Sequence, residues 1–303
     1  MKLYYSDHIA LQRARGSRFP VEKYRLLREH LQADKRLNFT FVQAQEVSVE
    51  TLELAHARSY IQAVLTGTLS AQSQRRIGFP WSENFVSRAR CSVGATIAAC
   101  KSSFVDGVSA NLAGGTHHAN VTGGAGYCVF NDIAVASRLL TATNTALRIL
   151  IVDADVHQGD GTADILGEDA NVFTFSIHCM DNFPAKKHRS DLDVALMAGV
   201  ADEEYLRQFH DGLTRALLAS RPDLIIYLAG ADPFKGDRLG RLNLTKDGLR
   251  RRDELVFDDC RRRFIPLAVV MGGGYAEDVK DIVDIHASTV KSAAALFHER
   301  AER

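Results

Sequence analysis

The chain reads Ile149-Leu-Ile-Val152 and then, without a break, Asp153-Ala-Asp155-Val-His157-Gln-Gly-Asp160-Gly161. The first part is a short, continuously apolar run rich in β-branched residues, which is typical of a strand buried on both faces of a parallel sheet. Three further runs of this kind lead into polar or glycine-rich residues: Val172–Phe175 into Ser176 and His178, Leu224–Leu228 into Asp232, and Leu267–Met271 into Gly272-Gly-Gly-Tyr275. Because ligands bind at the carboxyl ends of the strands in open parallel sheets, we expect these four loops to form one site.

Longer stretches with helical spacing lie between and around these strands. They are Asn84–Ser103, Val129–Thr141, Glu203–Ala219, Lys246–Arg263 and Val279–His298. An alternation of strands and helices predicts an α/β fold with a central, mostly parallel sheet. No repeat, low-complexity segment or Pro- or Ser-rich linker divides the sequence, so we expect a single domain over residues 1–303.

The composition is that of an ordinary soluble globular protein: the 303 residues are 46% hydrophobic and 24% charged, which excludes intrinsic disorder. A chain of this length forms a core without disulfides or a structural metal, so a bound metal would be functional. Lys plus Arg and Asp plus Glu both number 37, and nothing indicates an electrostatic nucleic-acid binder. The five cysteines form no C-x-x-C pair, and no run of about 18 apolar residues occurs. We expect a cytoplasmic protein without a membrane segment.

The residues after the first strand point to a metal site. Asp153, Asp155, His157 and Asp160 place four metal-binding side chains within eight residues. In an extended segment Asp155 and His157 point to the same face, so that both could reach one ion together with a later Asp. Two oxygens and one nitrogen suit a borderline divalent metal that keeps a position open for water. The alternative is that these acids cap the following helix, and it has most weight for Asp160.

Two adjacent histidines form a second candidate feature in Gly114-Gly-Thr-His117-His118-Ala119. The glycines suggest a tight loop, and two imidazoles could transfer protons near neutral pH. Alone, such a pair is more often a pair of ordinary loop histidines. The surplus carboxylates Asp153 and Asp160 could orient the two rings and thereby favour a catalytic role.

Tyr275 follows three glycines, which would let a loop press against substrate and bring a phenol into the site. As a hydrogen-bond donor the phenol could stabilise an oxyanion. The alternative is a phosphate-binding loop, but the Lys-Ser/Thr of a P-loop is missing, and Gly124-Ala-Gly126 lacks the third glycine of a dinucleotide fingerprint. Nucleotide binding is therefore disfavoured. Ser176 and His178 are either supports of the site or structural residues.

The ordered set of motifs resembles the zinc-dependent histone deacetylase superfamily, most closely its class IV-like branch, which includes many bacterial members. The matching segments are Arg18-Phe-Pro-Val-Glu-Lys-Tyr24, Phe79-Pro-Trp-Ser-Glu83, Gly114–Ala119, Gly126-Tyr-Cys-Val-Phe-Asn-Asp132, Asp153–Thr162, Gly230-Ala-Asp-Pro233 and Gly272–Tyr275. The resemblance implies a three-layer arginase/deacetylase-like fold. It also implies a metal-dependent hydrolase that removes acetyl or longer acyl groups from lysine side chains or related amines.

The resemblance further implies a role for each matched residue. The metal ligands would be Asp155, His157 and Asp232, holding Zn²⁺ or alternatively Fe²⁺. The catalytic residues would be His117, His118, Asp153, Asp160 and Tyr275, with Tyr275 as the oxyanion donor. The substrate channel would be lined by Tyr127, Phe183, Gly126 and Gly273. A structural K⁺ would lie at Asp153, Asp155, His157 and Ser176.

Two positions depart from the pattern, because Gln158 follows the metal histidine where many relatives have a second His, and Ser17 stands where relatives often have His. Gln158 changes the surroundings of the metal without removing a ligand. Ser17 changes the entrance loop and thereby the expected substrate preference. The substrate is expected to be an acylated lysine in a protein or peptide, or a small acylated amine such as an acetylpolyamine. Less favoured are an arginase-like site with two Mn²⁺ ions and a catalytically silent acyl-binding scaffold.

Overall fold

A computed structural model describes residues 1–14 and 16–298 of the chain. Eight strands form one sheet in the order β2-β1-β3-β8-β7-β4-β5-β6. The strands are β1 (Lys2–Tyr5), β2 (Thr40–Gln43), β3 (Val108–Asn111), β4 (Ile149–Asp153), β5 (Val172–Cys179), β6 (Leu192–Leu196), β7 (Leu224–Leu228) and β8 (Leu267–Val270). The helices are α1 (Lys23–Ala33), α2 (Val49–Leu52), α3 (Arg58–Thr66), α4 (Ala71–Ile77), α5 (Glu83–Asp106), α6 (Asp132–Thr143), α7 (Asp160–Leu166), α8 (Asp202–Ser220), α9 (Lys246–Arg263) and α10 (Val279–His298).

The central strands are buried on both faces. Leu150 and Val152 of β4 pack into one apolar cluster with α1, α8, α9 and α10, whereas Ile149 and Ile151 pack into a second cluster with α3, α5 and α6. Side chains alternate between the faces of a strand, so a continuous apolar run supplies both clusters. The result is the expected three-layer arrangement with helices on both faces of the sheet.

All the strand pairs run parallel, so the expectation of a mostly parallel sheet is confirmed and sharpened. The last strand, β8, lies in the middle of the sheet, between β3 and β7. It therefore joins the three strands nearest the amino terminus to the four strands that follow them in sequence.

The predicted strands and helices are present, with one correction that matters for the site. Ser176 and His178 were expected in a loop, but they lie within β5, which continues to Cys179. The reason is the edge strand β6, which pairs with Phe175–Cys179 and extends the ladder beyond the apolar run. The hydrophobic pattern did not predict β1, β2, β3 or β6, because these strands are short or alternate polar and apolar residues.

Across the residues that the structure describes, none of the helices combines the length and the apolar character that a membrane crossing requires.

Candidate active site

The predicted site residues come together at the carboxyl edge of the sheet. Asp155 and His157 lie in the loop after β4, Asp232 follows β7, His117 and His118 follow β3, and Tyr275 follows β8. The loops make a very close approach, because a Cβ added to Gly115 (φ +71°) would lie 2.6 Å from Cα of Gly272. Glycine at this position thus lets the loop with the two histidines contact the loop that carries Tyr275.

Three buried side chains form a candidate metal centre. Nδ1 of His157 lies 3.0 Å from Oδ1 of Asp155 and 3.2 Å from Oδ2 of Asp232. One ligand atom from each residue lies within 4.8 Å of the others. Zn²⁺ holds oxygen and nitrogen ligands at about 2.0–2.2 Å in a tetrahedron, which places neighbouring ligand atoms about 3.3 Å apart. The donor types and their spacing therefore fit a tetrahedral divalent cation.

The electrostatics of this centre favour a positive charge between its two carboxylates. Burial and the charge of Asp155 raise the pKa of Asp232 to about 7. Burial lowers the pKa of His157, but the hydrogen bonds and charges of Asp155 and Asp232 outweigh it and raise the value to about 10. Two carboxylates so close together in the interior repel each other unless a positive charge lies between them.

Backbone groups hold the two acids in place. The Gly273 N–H donates to Oδ2 of Asp155 at 2.8 Å, and the Val156 N–H donates to Oδ1 of Asp232 at 2.9 Å. A side chain at Gly273 would overlap the Asp232 carboxylate. Gly273, predicted as part of the channel wall, thus also packs directly against both acids.

Each of the two adjacent histidines is paired with a carboxylate. Nδ1 of His117 lies 2.7 Å from Asp153, and Nδ1 of His118 lies 2.6 Å from Asp160. An ionised carboxylate only accepts hydrogen bonds, so both rings carry a proton on Nδ1 and present Nε2 to the site. Asp160 opens α7, but its side chain bonds His118. The helix-capping alternative therefore does not describe this carboxylate.

The two histidines differ in their surroundings. Burial lowers the pKa of His118 to about 4, and the charge of His117 acts in the same direction. Burial also lowers the pKa of His117, but the charges of Asp153 and Asp155 outweigh this effect and raise it to about 9. Since the ring centroids lie 4.1 Å apart, one positive charge on the pair disfavours a second.

Tyr275 lies beside the candidate metal centre, with its ring centroid 6.4 Å from that of His157. Its N–H donates to Oδ2 of Asp237 at 2.6 Å, and its carbonyl accepts from Nε of Arg238 at 2.8 Å. Burial raises the pKa of the phenol well above its usual value, so it remains a neutral donor. The backbone N–H and carbonyl of Tyr275 are therefore held, and among the described residues none hydrogen-bonds its hydroxyl.

Two of the predicted channel residues, Phe183 and Gly126, lie against His118. The Phe183 ring meets the His118 ring edge to face at 4.8 Å and is 46% exposed, so it reaches the surface. A Cβ at Gly126 would lie 2.6 Å from Cδ2 of His118. The Tyr127 ring lies 5.8 Å from the Tyr275 ring. Phe183 thus reaches from His118 to the surface, whereas Tyr127 lies beside Tyr275.

Ser176 and His178 contact each other inside β5. The Ser176 hydroxyl and Nδ1 of His178 lie 3.0 Å apart, and Ser176 is the register partner of Asp153. Burial lowers the pKa of His178 to about 4. Ser176 is therefore next to the metal loop, whereas His178 has a local structural partner. The potassium site predicted here stays a prediction.

Three residues that support the site were missed from sequence. The Asp132 carboxylate accepts hydrogen bonds from the N–H groups of Gly115 and Thr116 and fixes the loop with the two histidines. Asp237 holds Tyr275, as described above. The buried Arg252 donates to the carbonyl oxygens of Ala154 at 3.1 Å and Gly230 at 2.7 Å. These carbonyls lie shortly before Asp155 and Asp232 in the sequence. Arg252 falls on the apolar face of α9, which is the signal that could have identified it.

The chain is similar to known proteins in sequence and in structure. The histone deacetylase domain profile matches residues 17–290. An uncharacterized protein of Picosynechococcus sp. is 45% identical over 92% of this chain and 94% of its own length. Histone deacetylase 2 of Arabidopsis thaliana is 31% identical over 80% of this chain and 65% of its own length. The crystal structure of an HDAC homologue complexed with SAHA matches with a TM-score of 0.82 at 21% identity, covering 97% of this chain and 84% of that one, and so shares the fold.

Proposed function

The chain belongs to the histone deacetylase family, and from that premise we propose that it is a zinc-dependent amidohydrolase removing acetyl or longer acyl groups from the lysine side chains of proteins or peptides. It is a hydrolase of the deacetylase type. The observation that carries the proposal is the buried group of Asp155, His157 and Asp232 beside two histidine–carboxylate pairs and a tyrosine hydroxyl.

Asp155, His157 and Asp232 would hold Zn²⁺, and Fe²⁺ suits the same donors. A divalent ion bound there would polarise the amide carbonyl and lower the pKa of a water from about 16 towards 7. By resemblance to the family, a structural K⁺ would lie at Asp153, Asp155, His157 and Ser176.

The histidines move protons in this proposal. Nε2 of His118 accepts a proton from the attacking water, because Asp160 holds Nδ1–H and leaves Nε2 as the base. Asp153 orients His117 in the same manner. The two histidines together return the proton that the departing amine needs.

Tyr275 supplies the oxyanion donor. Its hydroxyl would hydrogen-bond the oxygen that becomes negative when water attacks the acyl carbon. Tyr127, Phe183, Gly126 and Gly273 would form the channel for the amine-bearing chain. We further propose that residues 1–303 form one catalytic domain in the cytoplasm, with acylated amines rather than nucleic acid or membrane as partners.

The test is hydrolysis of lysine amides from acetyl to myristoyl by protein depleted of metal and then reloaded with Zn²⁺. Asp232→Ala should abolish turnover and zinc binding. Asp223→Ala is the matched control. Asp223 precedes β7 and so lies at the amino end of the strand, whereas Asp232 follows β7 at the carboxyl end, where the candidate site is. Equal turnover by metal-free and zinc-loaded protein would contradict the proposal.

A further inference from the structure

Positive side chains lie at the surface of the loops that carry the candidate active site. We call five of them the cationic rim: Arg18, Arg76, Lys186, Lys187 and Arg238. All but Lys187, which is partly buried, are exposed. The whole chain has 37 basic and 37 acidic residues, so a positive surface here reflects where the charges lie rather than the overall composition.

Arg238 joins the rim to the proposed oxyanion donor. Its Nε donates to the carbonyl of Tyr275 at 2.8 Å, and its Nη2 donates to the carbonyl of Arg18 at 3.1 Å. Arg18 is followed by Phe19, whose ring lies 4.9 Å from the Tyr127 ring. The side chain of Arg238 and the backbone of Arg18 therefore lie beside the two tyrosines of the site.

Arg76 lies near the end of α4, next to the predicted channel wall. Its carbonyl accepts a hydrogen bond from the Gly126 N–H at 3.0 Å, and the carbonyl of Ile77 accepts one from the Tyr127 N–H at 2.9 Å. The end of α4 is thus hydrogen-bonded to the wall, and it brings an exposed guanidinium to this side of the site.

Lys187 is folded onto the loop that carries Phe183. Its Nζ donates to the carbonyl oxygens of Asn182 at 2.7 Å and Pro184 at 2.6 Å, on either side of Phe183. Phe183 is the ring that contacts His118 and reaches the surface. Carbonyl oxygens hold the ammonium group without neutralising it, so a positive charge stays beside Phe183.

Negative side chains do not cancel the rim. Among residues 1–14 and 16–298, no carboxylate forms an ion pair with any of the five cations. Two exposed acids lie close in sequence to the site rings, Asp181 before Phe183 and Glu277 after Tyr275. Asp237 already accepts the N–H of Tyr275 at 2.6 Å. Five cations against two exposed acids leave the rim positive.

A surface of one sign raises the local concentration of ligands of the opposite sign and repels ligands of its own. The guanidinium groups of Arg18 and Arg76 have no acceptor within the described chain, and their planar forks match carboxylates. Arg238 and Lys187 are already held by carbonyl oxygens, so they lose less side-chain freedom when they bind a ligand. The rim therefore suits an anionic ligand.

We propose that the cationic rim binds acidic residues that flank the acylated lysine of a protein or peptide, an inference that rests on the proposed deacylase function. An extended peptide advances about 3.3 Å per residue. Side chains a few residues on either side of a lysine bound at the site thus remain within reach of the rim. An acetylpolyamine carries further ammonium groups, which the rim repels. Among the expected substrates, acidic protein segments are selected over polyamines.

The first test measures turnover by the zinc-loaded full chain. Three peptides carry a central acetyl-lysine flanked by Asp and Glu, by Ser and Gly, or by Lys and Arg, and acetylspermidine is the fourth substrate. One exposed ion pair strengthens binding by up to about fivefold. With several pairs, we expect kcat/KM of the acidic peptide to exceed that of the basic peptide and of acetylspermidine at least about tenfold.

Arg18→Gln combined with Arg76→Gln should lower the ratio of acidic to basic kcat/KM at least about threefold, because two of the exposed partners are lost. Arg215→Gln is the matched control. Arg215 is also exposed and has no ion pair within the described chain, but it lies near the end of α8 that leads into the amino end of β7. This variant should keep the wild-type ratio.

The second test measures binding without turnover. The same peptides are labelled with fluorescein and carry a ketone isostere of acetyl-lysine, in which CH₂ replaces the amide NH, so that no bond can be hydrolysed. Raising the ionic strength from about 0.01 M to about 1 M shortens the Debye length from about 30 Å to about 3 Å. Fluorescence anisotropy should show acidic-peptide binding weaken at least about tenfold over this range, and neutral-peptide binding change less.

Equal kcat/KM for the acidic and basic peptides, or a preference that neither salt nor the double variant reduces, would overturn the rim and leave the deacylase function standing. Cleavage of no amide, together with salt-dependent binding of the acidic isostere through Arg18 and Arg76, would refute the deacylase function and leave the rim standing. Single-stranded DNA that binds through these arginines while acidic peptides do not would overturn the peptide proposal in favour of nucleic acid.

Discussion

The Asp160 carboxylate accepts a hydrogen bond from Nδ1 of His118 at 2.6 Å, and Asp160 is also the first residue of α7. The helix that follows the metal loop therefore fixes the orientation of the histidine. We therefore expect a change in this one carboxylate to alter the proton position on the His118 ring.

We expect Asp160→Asn to lower kcat at least about tenfold, the usual minimum effect of losing a partner that orients a site histidine. The amide nitrogen can donate to Nδ1 and so shift the ring proton to Nε2, where it blocks the base. Steady-state kinetics on an acetyl-lysine peptide give the value. Asp164→Asn changes an exposed acid on the same helix and should retain wild-type kcat; equal rates for both variants would contradict the role of Asp160.

Tyr275→Phe should keep its metal but lose about 10²–10³ in kcat, because removal of one oxyanion donor raises the barrier by about 2.7–4 kcal/mol. Metal analysis and kinetics of the purified variant provide the two readouts. Tyr5→Phe, a change of the same atoms at a partly buried tyrosine of β1, is the control. Undiminished turnover in Tyr275→Phe would refute the assigned role.

Metal should stabilise the folded chain. A ligand that binds only the native state at a hundred times its Kd adds about 2.7 kcal/mol to the free energy of unfolding. We therefore expect Zn²⁺ to raise the Tm of chelator-treated protein, and to leave the Tm of His157→Ala nearly unchanged. Scanning calorimetry measures both, and a similar rise in the two proteins would place the zinc elsewhere.

Arg252→Met should destabilise the fold by about 3–5 kcal/mol, because it leaves the buried Asp253 without its ionic partner. The carbonyls of Ala154 and Gly230 also lose their donor, so zinc affinity should fall. Urea unfolding and zinc titration measure the two effects. Arg251→Met, one residue earlier and exposed, should change neither; matching behaviour of both variants would remove Arg252 from the support of the site.

Stability should depend on pH through His56. Its Nδ1–H donates to the Asn120 carbonyl at 2.9 Å, and its Nε2 accepts from the Asn131 N–H at 2.8 Å, so only the neutral ring fits. Burial lowers the pKa of His56 from 6.5 to about 4. The unfolded chain then binds more protons between these values, and stability falls as the pH drops through this range.

Between about pH 7.5 and pH 5 this one group should remove about 2 kcal/mol from the free energy of unfolding. His56→Gln keeps an acceptor for Asn131 and cannot titrate, so its urea unfolding should change less over that range. The exposed His210 provides the control variant, His210→Gln. If His56→Gln loses as much stability as wild type, other groups cause the pH dependence.

The sequence predicted the strands and helices whose apolar periodicity matches the faces that they bury in the fold. Leu224–Leu228 and Lys246–Arg263 have the bounds expected of them, because their apolar periodicity matches the faces they bury. β6 was missed, since an edge strand is half exposed and carries a weaker pattern. Ser176 and His178 were misplaced because pairing with β6, rather than hydrophobicity, sets the end of β5.

The candidate site was predicted with Asp153 and Asp160 as partners of the two histidines, but without saying which acid pairs with which histidine. Motif spacing brought His117, His118 and the acids to one edge of the sheet, whereas the assignment of Asp153 to His117 and Asp160 to His118 needs the conformation of the metal loop. The sequence also did not indicate which cationic side chains are buried. Arg88 and Arg252 have the residue type of surface positions, and only tertiary contacts reveal that they lie inside.

The position of β8 has a consequence for the synthesis of the chain. A ribosome makes β1, β2 and β3 first, yet they reach β7 and its neighbours only through β8, which follows the other described strands in the sequence. Until Leu267–Val270 has left the ribosome, the histidines after β3 and the acids after β4 and β7 belong to separate pieces of sheet. A nascent chain, or one truncated before β8, therefore carries the candidate metal ligands Asp155, His157 and Asp232 without an assembled site.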